Sequence, residues 1–103
     1  MKHIEAKFSP KRPPTPPGKL LAEDVLPATG RTKSEIANLL GISRQTLYDI
    51  LNCRQPVTPQ MAVRMGKLFG NGARLWLNMQ TAHDLWLAEQ TVDTSKIPTL
   101  EHA

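Results

Sequence analysis

The chain has 103 residues, 40% of them hydrophobic, and a formal net charge of +4. That length holds one compact domain with tails and is too short for two independent cores. No apolar run approaches the roughly 18 to 20 residues that cross a bilayer, and "MKHIEAKFSP" lacks the apolar centre of a signal peptide, so a cytoplasmic protein with no membrane partner is expected.

Cys53 is the single cysteine, which excludes an intramolecular disulfide and a cysteine-based zinc site. His3, His83 and His102 are too scattered for a ligand set, so neither metal nor cofactor is expected. The charge is unevenly placed. Met1 to Arg74 carry 12 Lys/Arg against 5 Asp/Glu, whereas Leu75 to Ala103 carry 1 against 4. The basic part suits a polyanion and the acidic end faces away from it.

Residues 1–16 form a basic arm with Pro10, Pro13, Pro14 and Pro16 among Lys2, Lys7, Lys11 and Arg12, and Pro17 follows directly. Proline removes backbone donors and biases its neighbours to extended geometry, so no packed element is expected there, although Ile4 and Phe8 suit an anchoring role. Residues 17–90 then read as one all-α domain of five short helices, and residues 91–103 as a loose tail.

The first helix, "GKLLAEDVL", carries Leu20, Leu21, Val25 and Leu26 on one stripe and is expected to stop at Pro27. The second opens with Thr32 and has Glu35 three positions later, a reciprocal pair in which each side chain satisfies the other's backbone amide. It buries Ile36, Ala37 and Leu40 and ends at Gly41. Ser43 caps a third helix running to Asn52. Thr58 caps a fourth with Pro59 at its first position, where the missing N–H costs nothing, and Gly70 closes it. A fifth starts at Asn71 or Gly72 and runs to about Gln90.

On a helical wheel starting at Arg44, Leu47, Ile50 and Leu51 fall between roughly 240° and 340°, while Arg44, Gln45, Tyr48, Asp49 and Asn52 fall between roughly 0° and 140°. One side docks on a core; the other presents donors and acceptors. An α-helix fits the major groove of DNA, where Gln pairs with adenine, Arg with guanine, and Asp accepts from cytosine. A capped helix, a Gly-containing turn and a second capped helix within about twenty residues are what helix-turn-helix docking requires. The amides at the start of the second helix, with Lys33 beside them, suit a phosphate.

"TKSEIANLLGISRQTLYDILN" resembles the helix-turn-helix of the phage-repressor (Xre/Cro-like) superfamily. The wider stretch over residues 16–90 resembles HigA-type antitoxins of bacterial toxin–antitoxin modules, most specifically in "VTPQMAVRMGKLFG" followed by "LWLNMQTAHDLW". The resemblance implies that Ser43, Arg44, Gln45, Thr46, Tyr48 and Asp49 face operator DNA, with Arg44, Gln45 and Asp49 reading bases and Lys33, Asn52 and Arg54 against phosphates. It also implies a HigB-like ribonuclease toxin as partner. Two positions depart from the pattern. Cys53 stands where most relatives have glycine, a strain of ~1 kcal/mol if that position is left-handed, and Lys33 stands where glutamine is common. Asp49 repels phosphate, so it either reads cytosine or disfavours wrong sites.

The fifth helix is apolar over a wider arc than a single domain needs. From Leu75 to Leu87 its hydrophobic positions cover roughly 200°, against the ~100° of an ordinary packed helix. Trp76, Leu77, His83, Trp86 and Leu87 are therefore candidates for a dimer or partner interface, with one of the two tryptophans expected in the core. A two-fold homodimer would set two recognition helices on successive major grooves. No acid–base pair, oriented nucleophile or phosphate-cradling loop points to catalysis, so no catalytic residues are assigned. The expected function is antitoxin and operon repressor, with a stand-alone repressor as the alternative. The acidic tail and the Ile4/Phe8 arm both remain candidates for the toxin contact.

Overall fold

The computed structural model describes residues 12–101. Lys2, His3, Ile4, Lys7, Phe8, Pro10 and Lys11 of the arm, and His102, lie outside them. Among the described residues the chain is helical, with no strand.

Helix α1 is a continuous run of three segments, Pro17–Leu20, Leu21–Val25 and Leu26–Thr29, the middle one π-helical. It therefore passes through Pro27, contrary to the expected stop, and ends at Gly30 with φ 68°. The π-turn is the reason. The Leu26 N–H reaches back five residues to the Leu21 carbonyl, and the widened turn gives the Pro27 ring room that a regular α-turn denies it.

Helix α2 spans Lys33–Leu40, α3 Arg44–Leu51, α4 Pro59–Phe69 and α5 Ala73–Thr91. Their boundaries follow local chemistry. Thr32 Oγ1 accepts from the Glu35 amide at 3.1 Å, and Glu35 Oε1 accepts from the Thr32 amide at 2.9 Å. Ser43 and Thr58 accept from Thr46 and Met61 amides at the starts of α3 and α4.

The Glu35 carboxyl is held below its ordinary value, chiefly by the hydrogen bond from the Thr32 backbone, then by the Thr32 hydroxyl and the nearby Arg31 charge. A carboxylate whose folded pKa is depressed stabilises the fold fully above its unfolded value, and that contribution is lost as pH falls through the folded one. We expect the Glu35 carboxyl, followed by NMR, to titrate below the ordinary range, and Glu35→Gln to remove this part of the acid sensitivity of α2. Titration of Glu35 at the ordinary value would show that the cap does not form.

The core is built from every helix: Leu21 and Leu26 of α1, Ile36, Ala37 and Leu40 of α2, Leu47, Ile50 and Leu51 of α3, Met61, Ala62 and Met65 of α4, and Trp76 of α5, together with Val57 in the loop before α4. Arg64 of α4 donates to the Leu40 carbonyl at 2.8 Å, holding the end of α2 against α4. The adjacent Gly41 has φ 74°, a left-handed conformation that lets the chain reverse into α3 within three residues. Helix α5 packs along α4 with its first half. From Leu87 onward every described residue is exposed. No described helix is long and apolar enough to cross a membrane.

Candidate nucleic-acid interface

The split read from the wheel of α3 is the split in the structure. Leu47, Ile50 and Leu51 are buried, while Ser43, Arg44, Gln45, Tyr48 and Asn52 are exposed and Thr46 and Asp49 half-buried. Helix α2 lies beside this face with Lys33 and Ser34 in its first turn. The Lys33 ammonium sits 6.0 Å from the Tyr48 ring centroid, at the outer limit of a cation–π contact. Arg44 Nη1 donates to Ser34 Oγ at 3.1 Å. Lys33, Arg44 and Tyr48 thus form one cluster where α2 meets α3.

A second cluster runs beside the first, from the start of α3 to Arg54 beyond its end. Gln45 Nε2 donates to Asp49 Oδ1 at 3.0 Å, and Arg54 Nη1 is 3.6 Å from the same oxygen. Ser43 and Thr46 are occupied with each other: the Ser43 hydroxyl accepts from the Thr46 amide and donates to Thr46 Oγ1 at 2.9 Å. Asn52 ends the helix, its backbone N–H donating to the Tyr48 carbonyl at 2.9 Å. Cys53 does take the left-handed conformation expected of a glycine, with φ 59°, the single non-glycine to do so among the described residues.

Several residues escaped sequence reasoning. Ser34 holds Arg44, and only its place in the first turn of α2 hints at this. Gln80 Oε1 accepts from the Val57 amide at 2.8 Å while its Nε2 donates to Asp84 Oδ1 at 2.9 Å. Gln80 so fixes the loop after the recognition helix to α5. Its signal was its position within "LWLNMQTAHDLW".

The expected partner surface on α5 needs correcting at Trp76. This side chain is fully buried, with Nε1 donating to Asn71 Oδ1 at 2.8 Å and its ring 6.0 Å from Phe69. It faces the core because α5 begins directly against the end of α4. Leu77 is partly buried and packs on that core. His83 Nδ1 lies 2.7 Å from the Pro14 carbonyl, tying the segment before α1 to α5. Trp86 is half-buried, and Leu75, Leu85 and Leu87 are exposed. The candidate surface therefore loses Trp76, and the exposed leucines left on α5 are Leu75, Leu85 and Leu87.

A five-helix domain presenting a capped helix-turn-helix with a polar third helix defines a DNA-binding regulator fold. No protein-family model matches the chain. Antitoxin HigA-1 of Vibrio cholerae is 33% identical over 76 residues, covering 74% of this chain and 71% of that protein. The helix-turn-helix transcriptional regulator YbaQ of Escherichia coli is 34% identical over 85 residues, covering 82% and 75%. Among solved structures, antitoxin GraA in complex with its operator superposes with a TM-score of 0.76 at 31% identity, over 91% of this chain and 95% of that one. The chain belongs to the HigA-type family of helix-turn-helix antitoxins and regulators.

Proposed function

We propose that this protein is the antitoxin of a type II toxin–antitoxin module, neutralising a HigB-like mRNA-cleaving ribonuclease and repressing its own operon as a homodimer on operator DNA. It acts in the cytoplasm by binding and has no catalytic step. The observation that carries the DNA-binding part is the face of α3: three aliphatic side chains are committed to the core while Arg44, Gln45 and Tyr48 project outward beside Lys33 of α2.

In this reading Arg44 and Gln45 read base edges, and Lys33, Asn52 and Arg54 position the helix on phosphates. The homodimer is supported by the exposed Leu75, Leu85 and Leu87 of α5. The toxin reading is supported by the similarity to antitoxins HigA-1 and GraA.

Gln45→Ala and Arg44→Ala are each expected to cost ~1 to 3 kcal/mol of discrimination at a single base pair, measured by titrating operator duplexes carrying one substitution at a time. Lys33→Ala should weaken binding to all sequences alike and lower the slope of log affinity against log salt by about 1 per subunit. If Arg44→Ala and Gln45→Ala keep the wild-type ratio between operator and random DNA, α3 is not the reading helix. Co-purification with the product of the adjacent gene tests the toxin. Repression without any such partner would leave a stand-alone repressor.

A further inference from the structure

We propose that Asp49 is a positioning residue of the recognition helix, which sets the orientation of the Gln45 amide and holds Arg54 beside it, and does not itself contact a base. This rests on the reading that α3 meets operator bases, and it replaces the cytosine-reading role expected for Asp49.

Three observations carry it. First, the side chain of Asp49 is already engaged: Oδ1 accepts from Gln45 at 3.0 Å and lies 3.6 Å from the Arg54 guanidinium. Both contacts fall on Oδ1, so only Oδ2 is left for a cytosine amino group. Second, the Asp49 side chain is only 28% exposed against 68% for Arg54, so the carboxylate sits behind the groups it links. Paired with Arg54, it avoids facing phosphates as a bare negative charge. Third, the backbone is arranged to make the pair. The Arg54 and Gln55 amides both donate to the Asp49 carbonyl, at 2.8 and 3.2 Å, and the left-handed Cys53 turns the chain back to bring Arg54 there.

The chemistry of the amide gives the arrangement its consequence. An ionised carboxylate only accepts, so the NH₂ end of Gln45 and not its oxygen must turn toward Asp49. That choice settles the amide flip. The Nε2 group has two hydrogens, and the one directed away from Oε1 suffices for Asp49. The other hydrogen and Oε1 then remain side by side, the acceptor–donor edge that matches adenine. Fixing a long side chain before binding also reduces the rotamer entropy lost on the DNA.

The test uses the full-length protein and a pool of randomised duplexes. Wild-type protein selects a site, and single base-pair substitutions in it are then titrated with Gln45→Ala, Asp49→Ala, the double variant and Asp49→Asn, each first checked by thermal melting. Gln45→Ala should flatten the preference at one base pair by about tenfold. Asp49→Ala should flatten the same base pair by about threefold to tenfold and leave the others unchanged, and the double variant should lose no more than Gln45→Ala alone. Asp49→Asn, whose amide can donate as well as accept, no longer settles the Gln45 flip and should flatten the same base pair by about threefold.

Flattening at a different base pair, or a double variant showing the product of the two single losses, would overturn the proposal and make Asp49 a reader in its own right. An Asp49→Asn protein with full wild-type discrimination at that base pair would likewise overturn it, because an acceptor-only carboxylate would then not be what orients the amide. If Gln45→Ala changes no base pair, the base-reading role of α3 falls and the positioning role falls with it; in the other failures α3 remains the reading helix.

Discussion

Trp76→Ala is expected to destabilise the domain by ~3 to 5 kcal/mol, a large fraction of the folding free energy of a small protein, and to lower Tm by about 20 °C. The reason is where the ring lies. Trp76 is the single fully buried residue of α5, set against Phe69 and anchored through Nε1 to Asn71. Truncation removes the largest side chain of the core and leaves a cavity where α4 meets α5. Trp86→Ala, on the half-buried outer part of the same helix, should cost less than half as much. Urea or thermal denaturation of the two variants decides the matter, and equal losses would place both rings in comparable environments.

Gly18→Ala is expected to cost about 3 kcal/mol and to weaken operator binding without touching the DNA-facing surface. A Cβ at residue 18 would lie 1.9 Å from the Ile50 carbonyl oxygen and 3.1 Å from its carbon. Both are backbone atoms of α3, so no rotamer change relieves the overlap. Helix α1 must back away from the recognition helix, opening the packing around Leu21, which is fully buried. By contrast, Lys19→Ala, at an exposed neighbour, should stay within about 0.5 kcal/mol. A Gly18→Ala protein with wild-type melting and wild-type operator affinity would show that α1 does not brace α3.

Much of the fold was written in short-range chemistry. Thr32 with Glu35, Ser43, Thr58 with Pro59, and the left-handed Gly41 and Gly70 act over three or four residues, and the structure places a helix boundary at each. The polar face of α3 was legible for the same reason, because its Leu47, Ile50 and Leu51 lie at helical spacing. Pro27 was misread because its tolerance depends on a π-turn that no local pattern announces. Trp76 and Trp86 looked alike as sequence, since both lie on one broad apolar arc of α5.

What the residues determined alone was which segments are helices and which side of each is greasy, since hydrogen bonds and apolar spacing within one turn settle both. Tertiary structure alone decided which ring of α5 the core took, why residue 18 must lack a side chain, and that Arg44 meets Ser34 and Val57 meets Gln80. Those contacts join residues that are ten or more positions apart, and their existence depends on the distance and angle at which whole helices come to rest against one another.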